Sequence, residues 1–251
     1  MNRIFFKTIL FSIALIFLSC KDSQPVNIEA DYETNKAIVV DIAEKEIKTG
    51  LPTVGLLVYE GFLTMEMTAP LNVFAKFDAD GNQVFNLVIV GEELKEYISE
   101  EGLRVTPDFT FGNVPKLDAL IVPSAMNMES AIANEDILNF IRKQKETTQY
   151  MASNCAGAFL LGASGVANGK KIVTYVTGGK LLQETFPELK VQDDAVVSYM
   201  EDGKIISSNG NFSSYISAFE LLEKMSTVEH RNYVEEYLYL NRLKKWPSSS
   251  N

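Results

Sequence analysis

Histidine, cysteine and tryptophan are the scarcest residue types in this sequence. One histidine, two cysteines and one tryptophan occur among its 251 residues. A single histidine, His230, excludes His-rich zinc or iron centres, because such centres need several imidazole ligands. We therefore expect no metal and no other cofactor, and we expect His230 to be a surface or interface residue of a C-terminal helix.

Basic residues are also in the minority. The 23 Lys and Arg stand against 33 Asp and Glu, which gives a formal net charge of −10 at pH 7. A negative chain repels the phosphate backbone, so nucleic acid is not expected as a partner. A small-molecule ligand or substrate is expected instead.

Long apolar runs are scarce, and the clearest one lies at the N-terminus. Arg3 and Lys7 precede the apolar residues 9–18, a run shorter than the roughly 20 residues that cross a bilayer. This order is typical of a secretory signal peptide. Ser19 and Cys20 follow the run and resemble a bacterial lipobox, in which the chain is cleaved before the cysteine and the cysteine is acylated.

We therefore predict a lipoprotein signal peptide over residues 1–19 and a tether over residues 20–50 that begins at lipidated Cys20. The alternative is an ordinary signal peptide with an incidental cysteine. Lipidation makes the membrane a partner and places the protein in the bacterial cell envelope, on the periplasmic or cell-surface side. Since Cys20 would then carry the lipid, Cys155 has no disulfide partner within the chain.

From residue 51 onward, apolar runs typical of buried strands alternate with helical spacing. This alternation predicts an α/β domain over residues 51–246, with a mostly parallel central sheet between two layers of helices, followed by a tail at 247–251. The predicted strands are 53–59, 85–90, 103–107, 119–122, 149–154, 172–175, 196–200 and 204–207. The predicted helices are 66–77, 132–145, 156–163, 212–224 and 228–244.

Three predicted strands end next to residues that carry chemistry. Tyr59, Ser124 and Cys155 each follow the end of an apolar run. Because ligand sites of such sheets form at the carboxyl ends of the strands, we expect these three positions to converge.

Cys155 lies where a predicted strand turns into a helix of small residues. Ala156 and Gly157 let the helix begin close against the strand, as in a nucleophile elbow. The N–H groups of the helix start stabilise a thiolate and lower its pKa, and the Ala156 N–H can face a developing oxyanion. The alternative is a buried, inert cysteine.

Glu66 stands among apolar neighbours at the start of another predicted helix. An acid in this position is either a solvated helix cap or a buried carboxyl with a raised pKa that shares a proton with a thiol. The sequence pattern by itself favours the cap.

Four segments, in this order and spacing, resemble the ThiJ/PfpI superfamily of DJ-one-like proteins. They are residues 55–74 with Glu66-Met67-Thr68-Ala69-Pro70-Leu71, residues 101–108 with 117–123, residues 155–171 around the Cys155 elbow, and residues 186–188 with 201–210. The likeness covers residues 53–240 and is nearest the branch of isonitrile hydratase and of AraC-type regulators. It implies a flavodoxin-like, class I glutamine amidotransferase-like three-layer sandwich.

The resemblance implies that Cys155 is the nucleophile and Glu66 its carboxyl neighbour, with the N–H groups of Ala125 and Ala156 as oxyanion donors. The sequence departs from the family at three places. Ser124 and Ala125 replace a common Gly-Gly pair, and Ala156 replaces a threonine that is common in the nearest branch. Tyr175 replaces a frequent histidine and cannot serve as a base at neutral pH.

A Cys-His-acid triad is therefore not possible, and a Cys155–Glu66 dyad remains, in a pocket that includes Ser124, Gly157 and Tyr175. The predicted function is a cysteine-dependent hydratase or hydrolase of a small electrophile, such as an isonitrile. The alternative is a non-catalytic module that binds a small molecule or senses oxidation at Cys155.

Aromatic residues are concentrated in the last predicted helix. Tyr233, Tyr237 and Tyr239 lie within it. They either cover the domain's own surface or form a homodimer contact.

Overall fold

The computed structural model describes residues 45–243. The predicted signal peptide, the lipidation site Cys20, most of the tether and the tail at 247–251 lie outside the described residues. Within the described part, no helix is both long enough and apolar enough to cross a membrane.

The end of the predicted tether belongs structurally to the domain. The N–H of Lys48 donates to Oδ1 of Asn86 at 2.9 Å, and Nδ2 of Asn86 donates back to the Lys48 carbonyl at 3.0 Å. Ile47 packs against the hydrophobic core. The domain therefore begins a few residues before the predicted boundary at 51.

The described chain contains eleven strands and eight helices. The strands are β1 (Thr53–Leu57), β2 (Asn86–Gly91), β3 (Tyr97–Ile98), β4 (Arg104–Val105), β5 (Phe109–Thr110), β6 (Ala119–Val122), β7 (Tyr150–Asn154), β8 (Lys171–Ile172), β9 (Lys190–Val191), β10 (Tyr199–Asp202) and β11 (Ile205–Ser208). The helices are α1 (Thr64–Phe74), α2 (Met128–Ala133), α3 (Glu135–Thr147), α4 (Gly157–Ala163), α5 (Gly179–Thr185), α6 (Ser213–Met225), α7 (Val228–Tyr237) and α8 (Leu240–Leu243).

Seven of these strands form one sheet in the order β10-β11-β7-β6-β1-β2-β5. The neighbours from β11 to β5 are parallel, and β10 pairs antiparallel with β11 across the turn at Gly203, whose φ is +67°. The prediction of a mostly parallel α/β sheet is confirmed.

Helices cover both faces of the sheet, so the central strands β1 and β6 are buried along their whole length. One core cluster includes Ile141 of α3 and Leu160 of α4. The other includes Val73 of α1 and Phe219 of α6. Fully burying each such side chain contributes about 1.5–3 kcal/mol, which fixes the helices that carry the site.

Some predicted elements differ from the structure. The predicted helix 132–145 is two helices, because the Asn134 side chain accepts bonds from Asp136 N and Ile137 N and so caps a new helix, α3. Val196 is 81% exposed rather than part of a strand, since the chain turns at Asp193 and β10 begins later. Helix α5 was not predicted.

His230 is buried, and the prediction that it is a surface or interface residue is wrong. Its ring stacks on Phe85 with centroids 6.2 Å apart, and Nδ1 lies 3.1 Å from Oγ of Ser226. Burial lowers the pKa of His230, so the ring is neutral at pH 7. His230 is therefore a buried residue that α7 packs against Phe85.

The tyrosines of the C-terminal helices divide between core and surface. Tyr233 packs against the core, whereas Tyr237 and Tyr239 are more than half exposed. The homodimer contact stays a prediction.

Candidate active site

The carboxyl ends of β1, β6 and β7 meet, because these strands are neighbours in the sheet. The Tyr59 hydroxyl after β1 donates to the Pro123 carbonyl after β6 at 2.6 Å. The N–H of Ser124 donates to Oε2 of Glu66 at 2.7 Å. Cys155 follows β7 and lines the same cavity as Ser124. The predicted convergence of the three positions is confirmed.

Cys155 forms a tight turn between β7 and α4. Its φ is +52°, in the left-handed region that residues with a Cβ avoid. Such a conformation costs about 1–3 kcal/mol and persists only where the surroundings enforce it. Here the Cys155 N–H donates to the Ser208 carbonyl at 2.9 Å, and the Cys155 carbonyl accepts from the Thr174 hydroxyl at 2.8 Å. The backbone bonds therefore hold the sulfur at an elbow.

Gly157 explains how the helix can begin so close to the sheet. A Cβ built at Gly157 would lie 2.4 Å from the Val122 carbonyl oxygen and 2.9 Å from that of Pro123. Both oxygens belong to the backbone, since Val122 is the last residue of β6 and Pro123 follows it, so an added side chain would have to displace the main chain at the strand end. Gly157 thus packs against the strand, whereas the sequence placed it in the wall of the pocket.

Glu66 is buried, and its interpretation as a solvated cap is wrong. The residue is 0% exposed. Among the described residues its Oε1 has no hydrogen-bond partner, whereas Oε2 accepts the Ser124 N–H. Burial raises the pKa of Glu66, and the nearby donor groups of Ser124, Cys155 and Asn211 act in the opposite direction. The carboxyl therefore keeps its proton to higher pH than an exposed glutamate.

The Cys155 thiol is far less acidic than the sequence suggested. Burial, followed by the negative charge of Glu66, raises the pKa of Cys155 to about 12. The Ser124 hydroxyl and the Ala156 N–H act in the opposite direction. Helix α4 has only seven residues, and its dipole does not outweigh burial beside a carboxylate. At neutral pH the sulfur is therefore a thiol that lies beside the buried Glu66 carboxyl.

Asn154 joins the elements around the dyad. Its Nδ2 donates to the Glu66 carbonyl at 3.2 Å, and its Oδ1 accepts from the hydroxyls of Ser208 at 2.8 Å and Ser217 at 2.9 Å. This network ties α1, β7, β11 and α6 together beneath the dyad. These residues were not predicted from the sequence, although Ser153 and Asn154, two polar residues at the end of an apolar strand, were a signal.

The backbone of Gly210 packs closely against both Cys155 and Glu66. Its φ is +82°, and a Cβ built there would lie 2.3 Å from Cβ of Cys155 and 2.3 Å from Oε1 of Glu66. The Gly210 N–H donates to the Ser208 hydroxyl at 3.2 Å. The missing side chain of Gly210 therefore allows Cys155 and Glu66 to approach each other, a role that was not predicted from the sequence.

The two predicted oxyanion donors differ in their surroundings. The Ala156 N–H faces the Cys155 sulfur and lowers the thiol pKa. The Ala125 N–H donates to the Met128 sulfur at 3.1 Å, and a thioether is a weak acceptor that a substrate oxygen can displace. Its role as an oxyanion donor stays a prediction.

A cavity of about 1000 Å³ opens onto the Cys155 sulfur. Ser124 and Tyr175 line it, as the sequence predicted, together with Ala125 and Ala156, whose N–H groups are the predicted oxyanion donors. Its apolar wall consists of Leu63, Met126, Met128, Ile132, Phe159 and Leu181. Glu129 is a charged lining residue, and the described lining includes no Lys or Arg. The cavity therefore suits an uncharged, largely apolar molecule.

Comparison with known proteins gives consistent matches. Residues 52–224 match the DJ-1/PfpI family. Isonitrile hydratase of Pseudomonas putida is 27% identical over 182 residues, which cover 72% of this chain and 75% of that protein. A ThiJ/PfpI family protein from Pseudomonas syringae superposes with a TM-score of 0.67 at 20% identity, covering 80% of this chain and 77% of the other. An AraC family transcriptional regulator from Pseudomonas putida gives a TM-score of 0.66 at 16% identity, covering 74% and 99%.

Proposed function

This chain belongs to the DJ-1/PfpI family, and from that premise we propose that it is a cysteine-dependent hydratase or hydrolase of small, uncharged electrophiles. Cys155 is the nucleophile and Glu66 carries the proton. The observation that supports this proposal is the buried Oε1 of Glu66, which has no hydrogen-bond partner among residues 45–243, beside a strained cysteine that lines an apolar cavity.

The chemistry is an attack coupled to proton transfer. The thiol proton passes to the Glu66 carboxylate as the sulfur bonds to the electrophilic carbon, so that no free thiolate accumulates at neutral pH. Protonated Glu66 then returns the proton to the substrate. With an isonitrile, addition of water to the resulting thioimidate releases a formamide and regenerates the thiol.

A binding module without turnover is the second candidate. It is favoured by the Ala125 N–H, which already donates to Met128, and by Tyr175 in place of a histidine base. Redox sensing is less favoured, because oxidation proceeds through a thiolate and the pKa of Cys155 is raised to about 12.

A substrate panel tests the proposal. The wild-type protein is assayed for turnover of an apolar isonitrile, a neutral dicarbonyl compound, and the same isonitrile bearing a carboxylate. We expect turnover of a neutral compound, with kcat/KM at least about tenfold lower for the carboxylate analogue, because Glu129 lines the cavity without a compensating cation. Calorimetric binding of neutral compounds without turnover of any would favour the binding module instead.

We also propose that the protein is anchored in the bacterial cell envelope through a lipid on Cys20. The proposal rests on the order of basic, apolar and lipobox-like residues at the N-terminus. Mass spectrometry of the protein from its native host is expected to show a chain that begins at acylated Cys20. An unmodified Cys20 would contradict the anchor, and a Cys20→Ala variant is the control.

A further inference from the structure

We propose that Met128 is a modification site that closes the pocket: a peroxide oxidises its thioether to the sulfoxide, and the new oxygen binds the Ala125 N–H. The inference rests on the proposed function, since Ala125 is a predicted oxyanion donor of the same site. It differs from redox sensing at Cys155, because the sulfur that is oxidised belongs to another residue.

Two hydrogen-bond donors at the carboxyl ends of the strands contact the Met128 sulfur. The Ala125 N–H donates to it at 3.1 Å. The Tyr59 hydroxyl, which donates to the Pro123 carbonyl at 2.6 Å, lies 3.8 Å from the same sulfur. Met128 is the first residue of α2, and both Met128 and Ala125 line the cavity. The thioether therefore takes the acceptor position of an N–H group in the lining of the site.

Met128 is accessible to a dissolved oxidant. The residue is partly exposed, and it lines the cavity of about 1000 Å³ that opens onto Cys155. Met67 and Met151, by contrast, lie in the core and are 2% and 0% exposed. Because hydrogen peroxide is small and uncharged, it can enter a cavity of this size. Oxidation is therefore directed to the methionines of the cavity rather than to those of the core.

The reaction is balanced with one molecule of hydrogen peroxide. The Met128 sulfur bonds to one peroxide oxygen and becomes the sulfoxide, the O–O bond breaks, and the other oxygen leaves as water with both hydrogens. The sulfur loses two electrons and the peroxide gains them. A thioether carries no proton, so this step needs no deprotonation. Cys155, whose pKa is raised to about 12, stays a thiol and reacts slowly under the same conditions.

The sulfoxide and the thioether differ as hydrogen-bond acceptors. A thioether is a weak acceptor, whereas oxidation makes the side chain polar and gives it an S=O oxygen. The methionine side chain is unbranched and flexible, so it can turn this oxygen toward the Ala125 N–H. A substrate oxygen that displaces the thioether then competes with a much stronger acceptor. The polar sulfoxide also interrupts the apolar wall, which weakens the binding of an apolar molecule.

Peroxide treatment of the full chain at neutral pH tests the proposal. Peptide mass spectrometry measures the sulfoxide at each methionine. In protein with ¹⁵N-labelled alanine, the Ala125 amide proton is expected to move downfield as Met128 is oxidised, because the sulfoxide oxygen is the stronger acceptor; Ala125→Gly assigns the resonance by its loss. We expect kcat/KM to fall about tenfold or more, in proportion to the sulfoxide at Met128, as for a lost oxyanion donor.

Two leucine variants separate Met128 from the other methionine of the wall. Met126 is 68% exposed and lines the same cavity, so peroxide reaches it at least as easily. Each variant is compared with its own untreated sample, because both side chains belong to the pocket. Met126→Leu is expected to lose the same fraction of its activity as wild type, whereas Met128→Leu is expected to keep its untreated activity in peroxide.

Reversal of the modification identifies the oxidised group. Methionine sulfoxide reductases A and B, one for each sulfoxide epimer, are expected to restore the activity and the Ala125 resonance of the wild-type protein. Dithiothreitol alone reduces a sulfenic acid and is expected to restore neither. Recovery with dithiothreitol alone would assign the loss to Cys155 and overturn the proposal.

The remaining outcomes distinguish this site from the proposed function. Oxidation of Met126 while Met128 stays unmodified overturns the modification site, as does a Met128 sulfoxide that leaves the Ala125 resonance or kcat/KM unchanged. If no compound of the panel is turned over, the proposed function fails and calorimetric binding of the neutral compounds replaces kcat/KM. A shifted Ala125 resonance with weaker binding after oxidation then still supports the role of Met128.

Discussion

Cys155→Ser is expected to lower kcat/KM by about a thousandfold or more on any compound that the wild-type protein turns over. An alcohol is a much weaker acid than a thiol, so Glu66 cannot take its proton with comparable ease. The substitution changes one atom and keeps the backbone bonds to Ser208 and Thr174 that hold the elbow. Steady-state kinetics on the substrate from the panel measures the loss.

Stability serves as the control for this variant. Far-UV circular dichroism and the thermal midpoint of Cys155→Ser are expected to match wild type, because the size of the side chain is nearly unchanged. Cys155→Ala should lose activity at least as completely. Full turnover by both variants would place the chemistry elsewhere and leave Cys155 a structural residue.

Gly210→Ala is expected to reduce turnover by about a hundredfold. The added methyl carbon would lie 2.3 Å from Cβ of Cys155 and 2.3 Å from Oε1 of Glu66, so at least one of them must move. A displaced carboxyl no longer meets the thiol proton. Kinetics and the rate of Cys155 labelling together measure the effect.

Gly102→Ala is the matched control, because Gly102 also has a positive φ, +89°, with no atom within 4 Å of the added carbon. Both variants carry the backbone strain of an alanine at positive φ, about 1–2 kcal/mol, and only Gly210→Ala overlaps the dyad. The difference between them isolates the effect on the site. Equal activity of the two variants would contradict the role assigned to Gly210.

Local sequence patterns were sufficient for the central strands and for the elbow at Cys155. The continuous apolar runs before Tyr59, Ser124 and Cys155 predicted three strands whose ends converge, and the small residues after Cys155 predicted the elbow. These features depend on residues that are near one another in the chain. The family likeness, which rests on the same segments, placed Glu66 beside the sulfur.

Long-range contacts were beyond such patterns. The bonds that Asn154 makes to Glu66 and Ser217 join positions 88 and 63 residues apart. The pKa of Cys155 depends on burial and on a carboxyl group from another helix. The local argument from the helix dipole therefore predicted a lowered pKa, whereas the pKa is raised. His230 was misplaced for the same reason, because its packing partner Phe85 comes from the first half of the chain.

The walls of the cavity and its floor come from different parts of the fold. Met128 and Ile132 belong to α2 and Leu181 to α5, whereas Cys155 and Glu66 are positioned by β7 and α1. Substitutions in the two wall helices can therefore change the shape of the cavity while Cys155 and Glu66 keep their positions. This separation allows the shape of the cavity to change during evolution by single substitutions in α2 and α5.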